Sequence, residues 1–84
     1  MEKHIEYRTT GTCSRMVILD LEDGIIKNCA FMGGCAGNTK GVATLVIGMK
    51  AEDAIHKLKG IKCGFKTTSC PDQLARALET ALAQ

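Results

Sequence analysis

The sequence predicts an α+β fold: a small antiparallel sheet of about three strands with about three helices packed on one face. Three observations carry that expectation. Runs rich in Val, Ile and Leu fill the first third of the chain. The pair Asp23-Gly24 separates two of those runs, a strong signal for a two-residue hairpin. Beyond residue 33 the apolar residues recur at helical spacing, bounded by capping residues and glycines.

The first strand is expected around Ile5-Glu6-Tyr7-Arg8-Thr9, a short alternating run, and the second over Arg15–Leu21. Ile25–Met32 forms the third, after the hairpin. A simple two-residue loop sets Leu21 opposite Ile26, Asp20 opposite Lys27, Ile18 opposite Cys29, Val17 opposite Ala30 and Met16 opposite Phe31. The Asp20–Lys27 pair is an opposite-charge match that supports this register. Gly33-Gly34 ends the strand, and Asn38 or Thr39 caps a helix running to about Ile47, with Val42, Leu45, Val46 and Met49 as its apolar spacing. A second helix over Ala51–Leu58 puts Ala54, Ile55 and Leu58 on one face and stops at Gly60. Ile61–Ser69 reads as loop or a short extended stretch. Pro71 suits the first position of a final helix, where its missing N–H costs nothing. Asp72 and Gln73 suit its N-terminal dipole, and Leu74, Leu78, Ala81 and Leu82 form its apolar stripe.

At 84 residues the chain is expected to form one domain, residues 1–84. A core of this size benefits from a staple: a metal, a disulfide or a partner subunit. The net charge is only +2, with acidic and basic residues interspersed, no Trp, one Tyr and two Phe. Those features argue against a nucleic-acid platform. Met1-Glu2-Lys3-His4 opens no apolar signal segment, and the apolar stretch near residues 42–49 is too short to span a bilayer. The expected compartment is therefore cytoplasmic, where cysteines serve metal or redox chemistry more often than structural disulfides.

There are five cysteines. Cys13, Cys35, Cys63 and Cys70 stand beside Gly, Ser or Thr at element ends, whereas Cys29 lies inside an apolar strand run. Thiols at turns and helix starts can converge on one point, and a helix N-terminus favours the thiolate that ligates Zn²⁺ or iron. A thiol within a strand usually packs as a small hydrophobe, the same bland role available to all five. The odd count fits four ligands and one bystander. Cys63 and Cys70 are too widely spaced for a zinc knuckle, so number and placement, rather than spacing, carry the metal reading.

Other chemistries find less support. No Cys-x-x-Cys is present. His4 is near the terminus, and His56 belongs to a solvated helix face among lysines. Glu22/Asp23 belong to a turn and Glu52/Asp53 open a helix, so neither pair is an acid–base dyad. Gly33-Gly34-Cys35-Ala36-Gly37-Asn38 could hold an anion, but it lacks the Gly-Lys-Ser/Thr ending of a phosphate loop and the glycine spacing of a dinucleotide loop.

Thr68-Ser69-Cys70-Pro71-Asp72 matches the motif of the TSCPD domains. Gly11-Thr12-Cys13-Ser14, the Gly33–Asn38 segment, Gly41, Gly60-Ile61-Lys62-Cys63-Gly64 and Cys70–Ala75 resemble the short four-cysteine branch of that family. The resemblance maps its four cysteines onto Cys13, Cys35, Cys63 and Cys70 and leaves Cys29 outside. A related domain forms the C-terminal part of B12-dependent ribonucleotide reductases. The resemblance thus implies a second reading: an accessory domain linked to a ribonucleoside-diphosphate reductase and deoxyribonucleotide synthesis, passing electrons through Cys63 and Cys70. The chain has no room for the reductase barrel or a cobalamin site, so it is not expected to be an enzyme alone.

A looser similarity connects Gly11–Cys13, the Asp23-Gly24-Ile25-Ile26 hairpin, Gly34-Cys35, Gly48–Ala54 and the Cys70 helix with U-type iron–sulfur scaffold proteins. It implies that Cys13, Cys35 and Cys70 match three cysteine ligands and that Cys63 stands in for the fourth. The scaffold pattern has an Asp two residues after its first cysteine, where this chain has Arg15, and that departure favours a stable site over a transfer site. The leading expectation is a small cysteine-rich metal-binding module carrying zinc or an iron–sulfur cluster on Cys13, Cys35, Cys63 and Cys70. Its expected partner is a protein, such as a ribonucleotide reductase or iron–sulfur machinery. A third reading is a dimerising module, a homodimer with reduced thiols.

Overall fold

Asp23 and Gly24 both adopt positive φ, 52° and 80°. That is the signature of a type I′ turn, whose twist matches the strands it joins. A computed structural model of the chain describes residues 2–11, 14–33, 36–61 and 68–83. In it three strands form one antiparallel meander in the order β1-β2-β3: β1 (Glu2–Arg8), β2 (Ser14–Glu22) and β3 (Ile25–Gly33). Three helices follow: α1 (Ala36–Val46), α2 (Ala51–Leu58) and α3 (Cys70–Ala83). This is the expected α+β arrangement.

The β2–β3 register differs from the simple reading. Leu21 does pair with Ile26, but Asp20 pairs with Asn28, Ile18 with Ala30, Leu19 with Cys29, Val17 with Phe31 and Met16 with Met32. The pairing shifts between Asp20 and Leu21, leaving Lys27 as the extra residue of a β-bulge. That one-residue slip keeps Cys29 and Phe31 on the core side with Leu19 and Val17. A second shift falls between Ser14 and Met16, at Arg15.

The sheet's inner face contributes Ile5, Val17, Leu19, Leu21 and Ile26 to the core. Leu74, Ala77, Leu78 and Ala81 of α3 pack against it, with Val46 of α1 and Ala51 and Ala54 of α2. The small residues on α2 and α3 let the helices approach closely. Leu45, expected on the buried face of α1, is 76% exposed, and Ala43 is buried in its stead. The helix begins at Ala36, ahead of the expected cap, and its buried stripe runs through Ala43 and Val46. The α1–α2 connection then covers the β3 edge: Ile26 N–H donates to Met49 O at 2.9 Å, Gly48 N–H to Ile26 O at 2.8 Å and Ala51 N–H to Gly24 O at 2.8 Å. Lys3 Nζ on β1 donates to Ala81 O at 3.2 Å, capping the C-terminal end of α3. Lys59 and Glu79 form a 2.8 Å ion pair between the end of α2 and α3.

The outer face of the sheet is polar towards the hairpin. His4 on β1 contacts Asp20 on β2 at 2.5 Å through Nδ1 and Glu6 at 3.3 Å through Nε2, and Asn28 Nδ2 donates to Asp20 at 3.4 Å. The Asp20 hydrogen bond, aided by Glu6, holds the imidazole above its ordinary 6.5. The same bond holds the Asp20 carboxyl below its ordinary 3.8. A raised histidine value stabilises the fold fully below the unfolded value and less as pH rises through the folded one; a lowered aspartate value stabilises above 3.8 and less as pH falls through the folded value. The thermal midpoint should therefore show a small decline as pH rises from below 6.5 through the folded value of His4. His4→Gln should remove that component; an unchanged profile in His4→Gln would show that the pair contributes nothing.

Candidate functional site

Thr68-Ser69-Cys70-Pro71-Asp72-Gln73 forms the start of α3, and its polar side chains face inwards. Ser69 is the N-cap: its hydroxyl accepts from Asp72 N–H at 3.2 Å, and its carbonyl accepts from Gln73 N–H at 2.8 Å, the first bond of the helix. Pro71 is the second helical residue rather than the expected first, still within the first turn, where its missing N–H leaves nothing unpaired. Cys70 is the first helical residue and is half-buried.

Asp72 and Gln73 are 1% and 2% exposed. The Asp72 carboxylate accepts from the Thr68 hydroxyl, from Gly60 N–H at 2.7 Å and from Arg76 Nε at 3.0 Å. Burial pushes this carboxyl up, but the bonds from Thr68, Gly60 and Arg76 outweigh it and hold the group below 3.8. Gln73 Nε2 donates to Thr68 Oγ1 at 2.9 Å, while its Oε1 accepts from Thr10 N–H at 3.1 Å. Ser69 Oγ donates to Ile61 O at 2.6 Å. Every buried polar side-chain atom among the described residues has a partner.

This hub gathers the flanks of the cysteine-bearing segments. Thr10 and Gly11, which lead to Cys13, both meet the hub: Thr10 N–H donates to Gln73 Oε1, and Gly11 stands so close that a Cβ there would lie 2.8 Å from Thr68 Cγ2. Gly60 and Ile61 lead to Cys63, and both are bonded to the first turn of α3. Ser14, next after Cys13, pairs across the sheet with Gly33, two residues before Cys35. Cys13, Cys35 and Cys63 themselves lie outside the described residues, as does the Lys62–Thr67 stretch. Among the described residues no group of three or more His, Cys, Asp or Glu could hold a metal. The Thr68, Ser69, Asp72 and Gln73 side chains are engaged with one another and with the flanking backbone.

Cys29 sits elsewhere, opposite Leu19 on β3 and packed against the core. Burial pushes its thiol up to about 12, so the reactive thiolate is scarce at neutral pH. In native protein at neutral pH, iodoacetamide should label the half-buried Cys29 much more slowly than in the unfolded chain; equal rates read by peptide mass spectrometry would contradict its packing. Neither histidine joins the hub: His56 is exposed on α2, and His4 lies on the outer sheet face.

Local reading placed Asp72 and Gln73 in a first helical turn but missed their burial. The Ser69-x-x-Asp72 capping pattern and the Thr68/Asp72 spacing were the available signals. No helix among the described residues is long and apolar enough to cross a membrane. No curated protein and no solved structure matches the chain. The TSCPD domain model matches residues 2–82, nearly the whole length, with the motif residues forming the hub described above. The chain therefore belongs to the TSCPD domain family.

Proposed function

We propose that this protein is a metal-binding module in which Cys13, Cys35, Cys63 and Cys70 hold one Zn²⁺ or one iron–sulfur cluster. The observation supporting it is the convergence at the α3 hub. Thr10, Gly11, Gly60 and Ile61, which lead to Cys13 and Cys63, are held against the turn that begins with Cys70. The Ser14–Gly33 pair brings the flanks of Cys13 and Cys35 into register. Four thiolates close a tetrahedral shell and leave no position for water, so the bound metal would staple the fold or store a cluster rather than hydrolyse a substrate. Thr68, Ser69, Asp72 and Gln73 serve that site by fixing the backbone of the segments that carry the thiols.

Anaerobic purification followed by elemental analysis and a UV-visible spectrum tests this reading. About one zinc per chain with no visible absorption, or iron and sulfide with visible bands, is the expected result. Cys35→Ala and Cys70→Ala should each lower metal content and thermal stability, since metal binding adds to folding free energy. Cys29→Ala should leave metal content unchanged. Protein free of metal with a Cys63–Cys70 disulfide would instead favour the redox accessory role beside a ribonucleotide reductase. Equal metal loss from Cys29→Ala would show that the wrong four cysteines had been chosen.

A further inference from the structure

The outer face of the sheet is divided by charge. Along β1 and β2 the hairpin end carries Glu2 opposite Glu22 and His4 opposite Asp20, then Glu6 opposite Ile18. At the other end Arg8 lies opposite Met16, which pairs in turn with Met32 on β3. Arg15 joins this end through the irregularity in β2. Regular alternation would send Arg15 to the inner face with Val17, but the register shift between Ser14 and Met16 lets Arg15 and Met16 border the same depression. The Arg15 side chain lies alongside Gly33: a Cβ there would be in ordinary contact with it, 3.4 Å from Cγ and 3.5 Å from Nε.

The depression is about 580 Å³ and is lined by Arg8, Thr9, Arg15, Met16, Met32 and Gly33. Its described lining includes two arginines and no acidic residue. Neither arginine has an ion-pair partner among the described residues. Glu6, the next outward residue along β1, is engaged by His4. Met32 is 53% exposed, and methionine is the apolar side chain that adapts most readily to a docked surface.

We propose that this depression is the docking surface for an acidic, extended protein segment that carries apolar residues between its carboxylates. The paired cations call for carboxylates, and the two methionines call for apolar side chains between them. A free inorganic anion would use the first feature and leave the second idle. A second copy of this chain is a separate outcome of the test: a dimer through this face would form without added peptide. A segment seated there lies beside Ser14 and Gly33, the flanks of Cys13 and Cys35, so a partner would be brought to the cysteine-bearing end. The inference requires no ligand on the cysteines, so it and the metal reading can fail separately.

The test is fluorescence anisotropy at low salt, using protein as purified and a fluorescein-labelled peptide Asp-Leu-Asp-Glu-Leu-Asp-Glu-Leu. Saturable binding that weakens as salt shortens the screening length is expected. The peptide with Asn and Gln in place of Asp and Glu should not bind. Arg8→Glu with Arg15→Glu should weaken binding by about tenfold or more, while Lys27→Glu, at the hairpin end, should not. In the unaltered protein, peptide addition should shift the methyl resonances of Met16 and Met32, a readout independent of the folding of any variant. Absence of saturable binding, equal binding of the amide peptide, or unmoved methyl resonances would overturn the proposal. Full displacement by an equal concentration of inorganic phosphate would also overturn it, by showing a small-anion site.

Discussion

Replacing Asp72 with Ala should lower stability by about 3 kcal/mol, close to what breaking a buried charged network costs. The carboxylate is 1% exposed and accepts bonds from Gly60 N–H, the Thr68 hydroxyl and Arg76. Its removal strands the buried Thr68 hydroxyl and unties Gly60 N–H. Arg76 is half exposed and simply re-solvates, so its pair with Asp72 contributes little of the total. For a chain of this length, 1 kcal/mol corresponds to roughly 4–8 °C in thermal midpoint, so the shift should exceed about 12 °C. Asp72→Asn keeps an acceptor for Gly60 N–H and should lose less, about 1–2 kcal/mol. Equal losses in the two variants would mean that charge, rather than hydrogen bonding, holds the hub together.

The same carboxylate sets an acid limit. Its folded value lies below 3.8, so its stabilisation is complete above 3.8 and fades as pH falls through the folded value. Asp72→Asn should therefore flatten the profile below 3.8, a change separable from the His4 component, which sets in around 6.5 and above. If metal rests on Cys13, Cys35, Cys63 and Cys70, Asp72→Ala should also lower metal content although Asp72 touches no metal. The reason is that Gly60, and with it the approach to Cys63, loses its tether.

Different parts of the molecule were legible for different physical reasons. The hairpin could be read because Asp-Gly is a local solution to a local problem, two consecutive positive φ values. The end of α2 was legible through Gly60 and the start of α3 through Pro71, each a residue with a local backbone preference. The bulges at Lys27 and Arg15 were not, because either residue is compatible with a regular strand. Only packing of Leu19 against Cys29, and of Val17 against Phe31, selects the shifted register. Leu45 misled because α1 is short and its apolar residues surround more than one face. Cys29 was read correctly as a packing thiol, although its partner is Leu19 rather than Ile18. The hub was illegible for a stronger reason: Gly60 and Asp72 are 12 residues apart, and Thr10 and Gln73 are 63 apart. No local pattern pairs them. The cysteines carried a chemical expectation through their placement, and the structure adds the framework around Cys70 that the expectation lacked.

Gly11→Val should cost about 3 kcal/mol, from two separable sources. Gly11 has φ +74°, a conformation that a β-branched residue adopts only with strain of about 1–3 kcal/mol. Its Cβ would also lie 2.8 Å from Thr68 Cγ2. Thr68 cannot swing away cheaply, because its hydroxyl donates to Asp72 and accepts from Gln73 Nε2. Overpacking of this kind adds about 1–3 kcal/mol. Gly24→Val is the matched control: its φ is +80°, and a Cβ there meets nothing within 4 Å, so it carries the conformational cost without the collision. Thermal melts should rank Gly11→Val below Gly24→Val, and both below the unaltered protein. Metal content should fall only in Gly11→Val, because the displaced segment continues to Cys13 while the hairpin lies at the opposite end of β2. A Gly11→Val protein as stable as Gly24→Val would show that Thr68 yields and that the 9–11 segment is not held by contact. Loss of stability with full metal retention would separate the hub from the cysteine site.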